Sequence, residues 1–168
     1  FTVARVRRQI FEQSTIGAIY TRRSTAEDTS GYALENRHTL GVDLAFNTRN
    51  FLGDNNLEAE AFFVWNSNPD PALDLSAGDL SARGFRFNFP NDRWTAHVSY
   101  REFGDYYRPA VGFVTRNDFR RVEPRIGFSP RPDISWIRKL DFSAQFRNLT
   151  ELGTGTLEER EWQFNVLG

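Results

Sequence analysis

The chain has 168 residues, long enough for one domain with a sizeable core, and residues 1–168 read as a single unit without a linker or second domain. Its 21 basic and 22 acidic residues give a net charge of −1, which argues against nucleic acid as a partner, and Lys139 is the only lysine. Zero cysteines exclude disulfides and thiol chemistry, and a mean hydropathy of −0.56 with no long apolar run excludes membrane-spanning helices.

Period-two alternation recurs along the chain, whereas no stretch of helical length holds a 3.6-residue period. Two weak runs, at 1–9 and 14–23, come first. In 38–47, Leu40, Val42, Leu44 and Phe46 share one face, and Thr39, Asp43 and Asn47 the other. In 57–66, Ala59, Ala61, Phe63 and Trp65 oppose Glu58 and Glu60. Phe85, Phe87 and Phe89 then oppose Arg86 and Asn88, and Trp94, Val98 and Tyr100 oppose His97, Ser99 and Arg101. Val122, Ile126 and Phe128 oppose Arg121, Glu123 and Arg125. Leu140, Phe142, Ala144 and Phe146 oppose Asp141, Ser143 and Arg147, and Trp162, Phe164 and Val166 oppose Glu161 and Asn165. The fold expected is all-β, an antiparallel up-and-down sheet of about nine strands.

Each run is about ten residues long, nearer the length of a tilted strand crossing a bilayer than that of an ordinary soluble strand. Long polar stretches at 24–35, 67–79, 104–118 and 148–156 alternate with short joints such as Pro90-Asn91-Asp92, the two-rimmed pattern of a transmembrane barrel. Aromatic residues near strand ends (Tyr20, Phe46, Trp65, Phe89, Trp94 and Trp162) suit interfacial girdles. Leu40, Val42, Leu44, Phe63, Phe85, Phe87, Val98, Phe142, Phe146 and Phe164 are therefore the expected lipid-facing residues. Asp43, Glu58, Glu60, Arg86, Arg101, Arg121, Glu123, Arg125, Asp141 and Arg147 are the expected lumen lining, with Glu161 beside them. Alternation also fits a soluble barrel that buries its apolar face around a small apolar ligand. Strand-like sequence at both ends, Phe1-Thr2-Val3 and Phe164-Asn165-Val166-Leu167, reads as a segment of a larger barrel, with the parent chain or another barrel chain as partner.

Two stretches carry a resemblance. The first is Phe1-Thr2-Val3-Ala4-Arg5-Val6-Arg7-Arg8 with Ser14-Thr15-Ile16-Gly17-Ala18-Ile19-Tyr20-Thr21, and the second is Pro109-Ala110-Val111-Gly112-Phe113-Val114-Thr115-Arg116. Together they resemble the C-terminal β-barrel region of an uncharacterised family of Gram-negative surface proteins. In that family the barrel follows an N-terminal module similar to family-nine carbohydrate-binding domains. The resemblance implies an outer-membrane location, lipid as a partner, and a role as channel or surface anchor. It supplies no catalytic residues.

Little in the sequence points to an enzyme. His97 and Ser99, two apart on a strand, share a face and have the spacing of a nucleophile–base pair, similar to the His-x-Ser of outer-membrane acyl hydrolases. They lie on the charged face, however, and Tyr100 stands where those enzymes often carry Asn. A barrel hydrolase using this pair is the rival reading. Glu58 and Glu60 have a spacing compatible with acid–base work on sugars, but common lumen chemistry explains them better. Asn66, Asn68, Asp70, Asp74 and Asp79 offer oxygen ligands without the spacing of a known calcium loop. His38 and His97 are the only histidines, and no glycine-rich phosphate loop is present, so no cofactor or metal is expected.

Overall fold

The computed structural model describes residues 1–24, 36–68 and 72–167. Most of the expected polar stretch 24–35, and Pro69, Asp70 and Pro71 of the candidate calcium loop, lie outside the described residues. Nine strands follow one another: β1 (Thr2–Ile10), β2 (Ser14–Arg23), β3 (Arg37–Phe51), β4 (Asn55–Asn66), β5 (Ser81–Pro90), β6 (Trp94–Phe103), β7 (Phe119–Phe128), β8 (Asp141–Glu151) and β9 (Leu157–Leu167). They form one sheet in sequence order, every neighbouring pair antiparallel, and no helix occurs among the described residues. The sheet is not closed: among the described residues β1 pairs only with β2, and β9 only with β8.

Register fixes which side chains share a face, because directly opposed residues of an antiparallel pair point the same way. Asp43 lies opposite Phe62, Phe62 opposite Gly84, Gly84 opposite Arg101, and Arg101 opposite Arg121. Val42, Phe63 and Arg83 form the adjacent row on the other side of the sheet. The sheet thus has a polar face and an apolar face from β1 to β9.

The apolar face is bound laterally by cross-strand rings. Phe85 stacks on Tyr100 with centroids 5.6 Å apart, Trp94 meets Phe128 at 4.3 Å, and Phe146 meets Trp162 at 4.4 Å. Pairs of this kind contribute about 0.2–1 kcal/mol each. These contacts run along the sheet, not between layers. Buried apolar side chains are few among the described residues: Leu57, Leu80, Ala82, Tyr107 and Ala110.

The loop pattern departs from expectation in one place. Tight turns at 11–13, 52–54 and 91–93 join the strands at one rim, and β2, β4 and β6 end at the other, each more than ten residues before the next strand begins. The 148–156 stretch is not a long loop. β8 runs on to Glu151 and β9 begins at Leu157, because the polar residues of this stretch find partners across the ladder. Arg160 Nε donates to Asn148 Oδ1 at 3.3 Å, and Asn148 to Thr150 all pair with β9, with a register shift between Leu149 and Thr150. The longer connection is instead β7–β8, at 129–140, on the tight-turn rim; Leu140 belongs to it and donates its N–H to the Pro130 carbonyl at 3.0 Å. Trp162, expected at a strand end, sits in mid-β9.

Gly84 is a point where the sheet has little room. A Cβ there would lie 2.6 Å from the Tyr100 carbonyl oxygen and 2.9 Å from Cε1 of Phe62, whose ring leans over the glycine on the polar face. Gly84→Val should therefore destabilise the sheet by about 1–3 kcal/mol, through overpacking that involves rigid backbone as well as a ring. Equilibrium unfolding in urea checks this; a loss below about 0.5 kcal/mol would show that the strands can separate there without strain.

Candidate functional site

The polar face from β4 to β8 forms a groove of about 740 Å³, lined by Glu60, Arg86, His97, Arg101, Glu123 and Arg125 among others. Strand pairing places cations and carboxylates side by side. Arg86 donates to Glu60 at 2.7 Å across β4–β5, and Asn88 Nδ2 donates to Glu58 at 2.9 Å. Glu123 of β7 receives Arg121 at 2.7 Å and Arg147 of β8 at 2.9 Å, with Arg101 of β6 at 3.5 Å. Arg147 reaches on to Glu159 and Glu161 of β9, each at 3.2 Å. Charge-assisted pairs of this sort fix geometry as well as contribute energy.

A further pair spans two strands. Arg5 of β1 donates to Asp43 of β3 at 3.0 Å over Gly17 of β2, where a Cβ would sit 2.7 Å from the Asp43 carboxylate oxygens. Glycine at 17 leaves the space through which this bridge passes.

All ten expected lining residues lie on this face, and the structure connects most of them. Asp141 stands apart at the tight-turn rim, where it accepts from Ser129 Oγ at 2.5 Å and Lys139 at 2.7 Å. Arg125 has no ion-pair partner among the described residues; its row neighbours are His97 and Gln145. The ten residues expected on the other side all lie on the apolar face, where Leu40, Val42, Phe63, Phe85 and Phe164 are exposed.

No hydrogen bond joins His97 to Ser99. The Ser99 hydroxyl points to Glu123 Oε2 at 3.5 Å instead, and His97 lies between Asn88 and Arg125. Glu58 and Glu60 are occupied by Asn88 and Arg86. Asp79 accepts from the N–H and hydroxyl of Ser76, at 2.9 and 2.8 Å, and no group of three metal-ligating side chains exists among the described residues.

The placement of the β6–β7 connection (104–118) was not expected. It folds across the polar face to β4 and β3. Asn66 of β4, 1% exposed, accepts the Arg108 N–H at 2.8 Å and donates to the Tyr106 carbonyl at 3.4 Å. Thr39 of β3, 4% exposed, accepts the Ala110 N–H at 2.7 Å. Asn117 ties the loop to itself by donating to the carbonyls of Asp105 and Tyr107. Phe103 and Phe119 stack at 5.1 Å on the same face, and Tyr107 meets Phe103 edge-on at 5.7 Å. The loop thus rests on an apolar footing at the rim of the longer connections, and the residues that line the groove come from the strands and not from it. Phe103 and Phe119, aromatic residues in line with the charged positions of β6 and β7, are the one mark of its place in the sequence.

No family model, curated protein or solved structure matches the chain.

Burial pushes the Tyr107 hydroxyl above its ordinary pKa of about 10. Because the folded value is the raised one, loop docking keeps its full strength below pH ~10 and weakens as pH climbs through the folded value. Asn66→Ala removes the buried amide that holds Arg108 and Tyr106, at a cost of about 1–3 kcal/mol. Amide exchange at Arg108 and Ala110 should then quicken at least about tenfold, and Tyr107 should titrate near its ordinary value. Unchanged exchange would mean that the loop is held by other contacts.

Proposed function

We propose that this chain is the wall of an outer-membrane β-barrel, its apolar face against lipid and its charged face lining an aqueous lumen. The role proposed is that of a channel or surface anchor. One observation carries the reading: an apolar face extending over all nine strands is exposed and has no protein layer on it among the described residues. Ile16, Val42, Leu44, Phe63, Phe85, Trp94, Ile126, Phe142, Trp162, Phe164 and Val166 all lie there, exposed. Soluble proteins rarely expose contiguous apolar patches larger than a few hundred Å². The soluble-barrel alternative needs this face turned inward, yet the groove and the inward-folded loop are on the charged side.

Strand lengths of 9 to 15 residues suit a tilted crossing of the hydrocarbon. The ion pairs of the polar face act as bracing, since mixed signs blunt selectivity, while Arg125 and His97 stand away from any carboxylate pair. The folded-in β6–β7 loop then narrows the passage.

Closure needs more strands than these nine. In a meander of nine, β1 and β9 run in the same direction, so joining them would require a parallel seam. Open edges in hydrocarbon leave amides and carbonyls unsatisfied at several kcal/mol each. Further strands of the parent chain or of another barrel chain supply the closure in this reading.

Leu44→Arg or Phe142→Arg should cost about 2–4 kcal/mol of stability in bilayers, whereas arginine at Asp43 or Ser143 costs far less. Equal penalties at neighbouring positions would contradict the assignment of faces. The lining reading of His97 and Ser99 also predicts no hydrolysis of phospholipids or short-chain esters that Ser99→Ala removes. Serine-dependent turnover would favour the hydrolase, although no observation here does.

A further inference from the structure

The apolar face changes character toward the rim of the longer connections. Arg83 of β5 lies opposite Glu102 of β6, and Glu102 opposite Arg120 of β7, in the row beyond Phe85 and Tyr100. Glu102 accepts from Arg83 through one oxygen, and from Arg120 Nε (2.8 Å) and the Tyr100 hydroxyl through the other. The carboxylate is saturated and buried, with its side chain 7% exposed, while the two guanidinium side chains are 47% and 49% exposed. Two cations held by one anion leave a net positive charge, and both guanidinium side chains stay about half exposed. Arg22 of β2 and Arg160 of β9 lie on the same face toward the same rim. At the opposite rim this face ends on β5 to β9 in Phe89, Trp94, Phe128, Phe142 and Val166, without a charge.

We propose that the Arg83–Glu102–Arg120 cluster binds the phosphate of lipid headgroups, with Arg160 extending the surface. The proposal deepens the lipid placement above and rests on it. Arginine on a lipid-facing strand costs about 2–4 kcal/mol at the midplane but only about 0–1 near the interface, so this row belongs at headgroup depth. Guanidinium is always ionised, weakly hydrated and shaped for bidentate phosphate contact. Glu102 holds both forks in place without neutralising them. Tyr100 below it joins the aromatic layer to the charged one.

The test uses the closed barrel of the proposed reading, these nine strands together with the further strands that complete it, reconstituted in phosphatidylcholine vesicles with a minor phosphatidic acid component. Bromine is placed on the acyl chains of one lipid or the other. Trp65, Trp94 and Trp162 on the apolar face report the quenching. The site predicts enrichment of phosphatidic acid around the protein by about five-fold, the contribution of one net positive charge near the surface. The enrichment should fall with added salt and persist in millimolar inorganic phosphate. Arg83→Gln with Arg120→Gln should abolish it, and Arg160→Gln alone, which leaves the Glu102 cluster intact, should reduce it. Arg86→Gln on the polar face should leave it unchanged.

Quenching by phosphatidylcholine without enrichment of phosphatidic acid would overturn the headgroup site and leave the lipid placement standing. Enrichment lost equally in Arg86→Gln, or displaced by inorganic phosphate, would also overturn it. No quenching by either lipid would overturn the placement and the site together.

Discussion

A β-sheet with one apolar face must cover that face, since exposed hydrocarbon costs about 25 cal/mol for every Å² left in water. Helices, a second sheet or closure around the face itself are the usual covers in soluble domains. Here the nine-stranded sheet is present without any of them among the described residues, and its few buried apolar side chains gather mainly near the longer connections. Ring pairs such as Phe85–Tyr100 and Trp94–Phe128 bind strand to strand but do not withdraw the face from its surroundings. Under the proposed reading lipid is the cover. Strand length, the charged opposite face and the need for edge closure then follow from that one requirement.

The polar face meets the opposite demand. Charges facing water remain hydrated, so their pairing contributes modestly to stability and mainly sets where side chains point. Glu123 gathers arginines from three strands, and Arg147 extends the chain of contacts to β9. The inward β6–β7 connection relies on a different chemistry. Its backbone would lose hydrogen bonds over a sheet face unless side chains replaced them, and Asn66 and Thr39 do so from positions almost wholly withdrawn from solvent. Braced strands and a pinned loop give the polar face a fixed shape.

Alternation made most of the fold legible. Side-chain period and strand period coincide, so Leu40 to Phe46 or Phe85 to Phe89 declare a face without any knowledge of neighbours. What escaped depends on partners remote in sequence. Asn148 and Thr150 look like loop residues until Arg160 and the β9 ladder stand opposite them. Phe62 looks misplaced on a charged face until Gly84 is found beneath its ring. The path of 104–118 depends on Asn66 and Thr39, each about 40 or more residues away, and no local pattern encodes such a contact. The residues of the polar face were legible as a set, but only strand register and the ion pairs it allows showed Glu123 as their hub and left Asp141 outside it.

The chain contains no cysteine, so single cysteines can be introduced one at a time and spin-labelled without a background. A scan along β8, from Asp141 to Glu151, in reconstituted bilayers reads each label's accessibility to oxygen, which concentrates in hydrocarbon, and to a water-soluble nickel chelate. Lipid on the apolar face predicts a period-two alternation. Labels at 142, 144 and 146 should favour oxygen, and labels at 143, 145 and 147 the chelate. Chelate access at every position, with no alternation, would show that water and not lipid covers the apolar face, and would contradict the membrane placement.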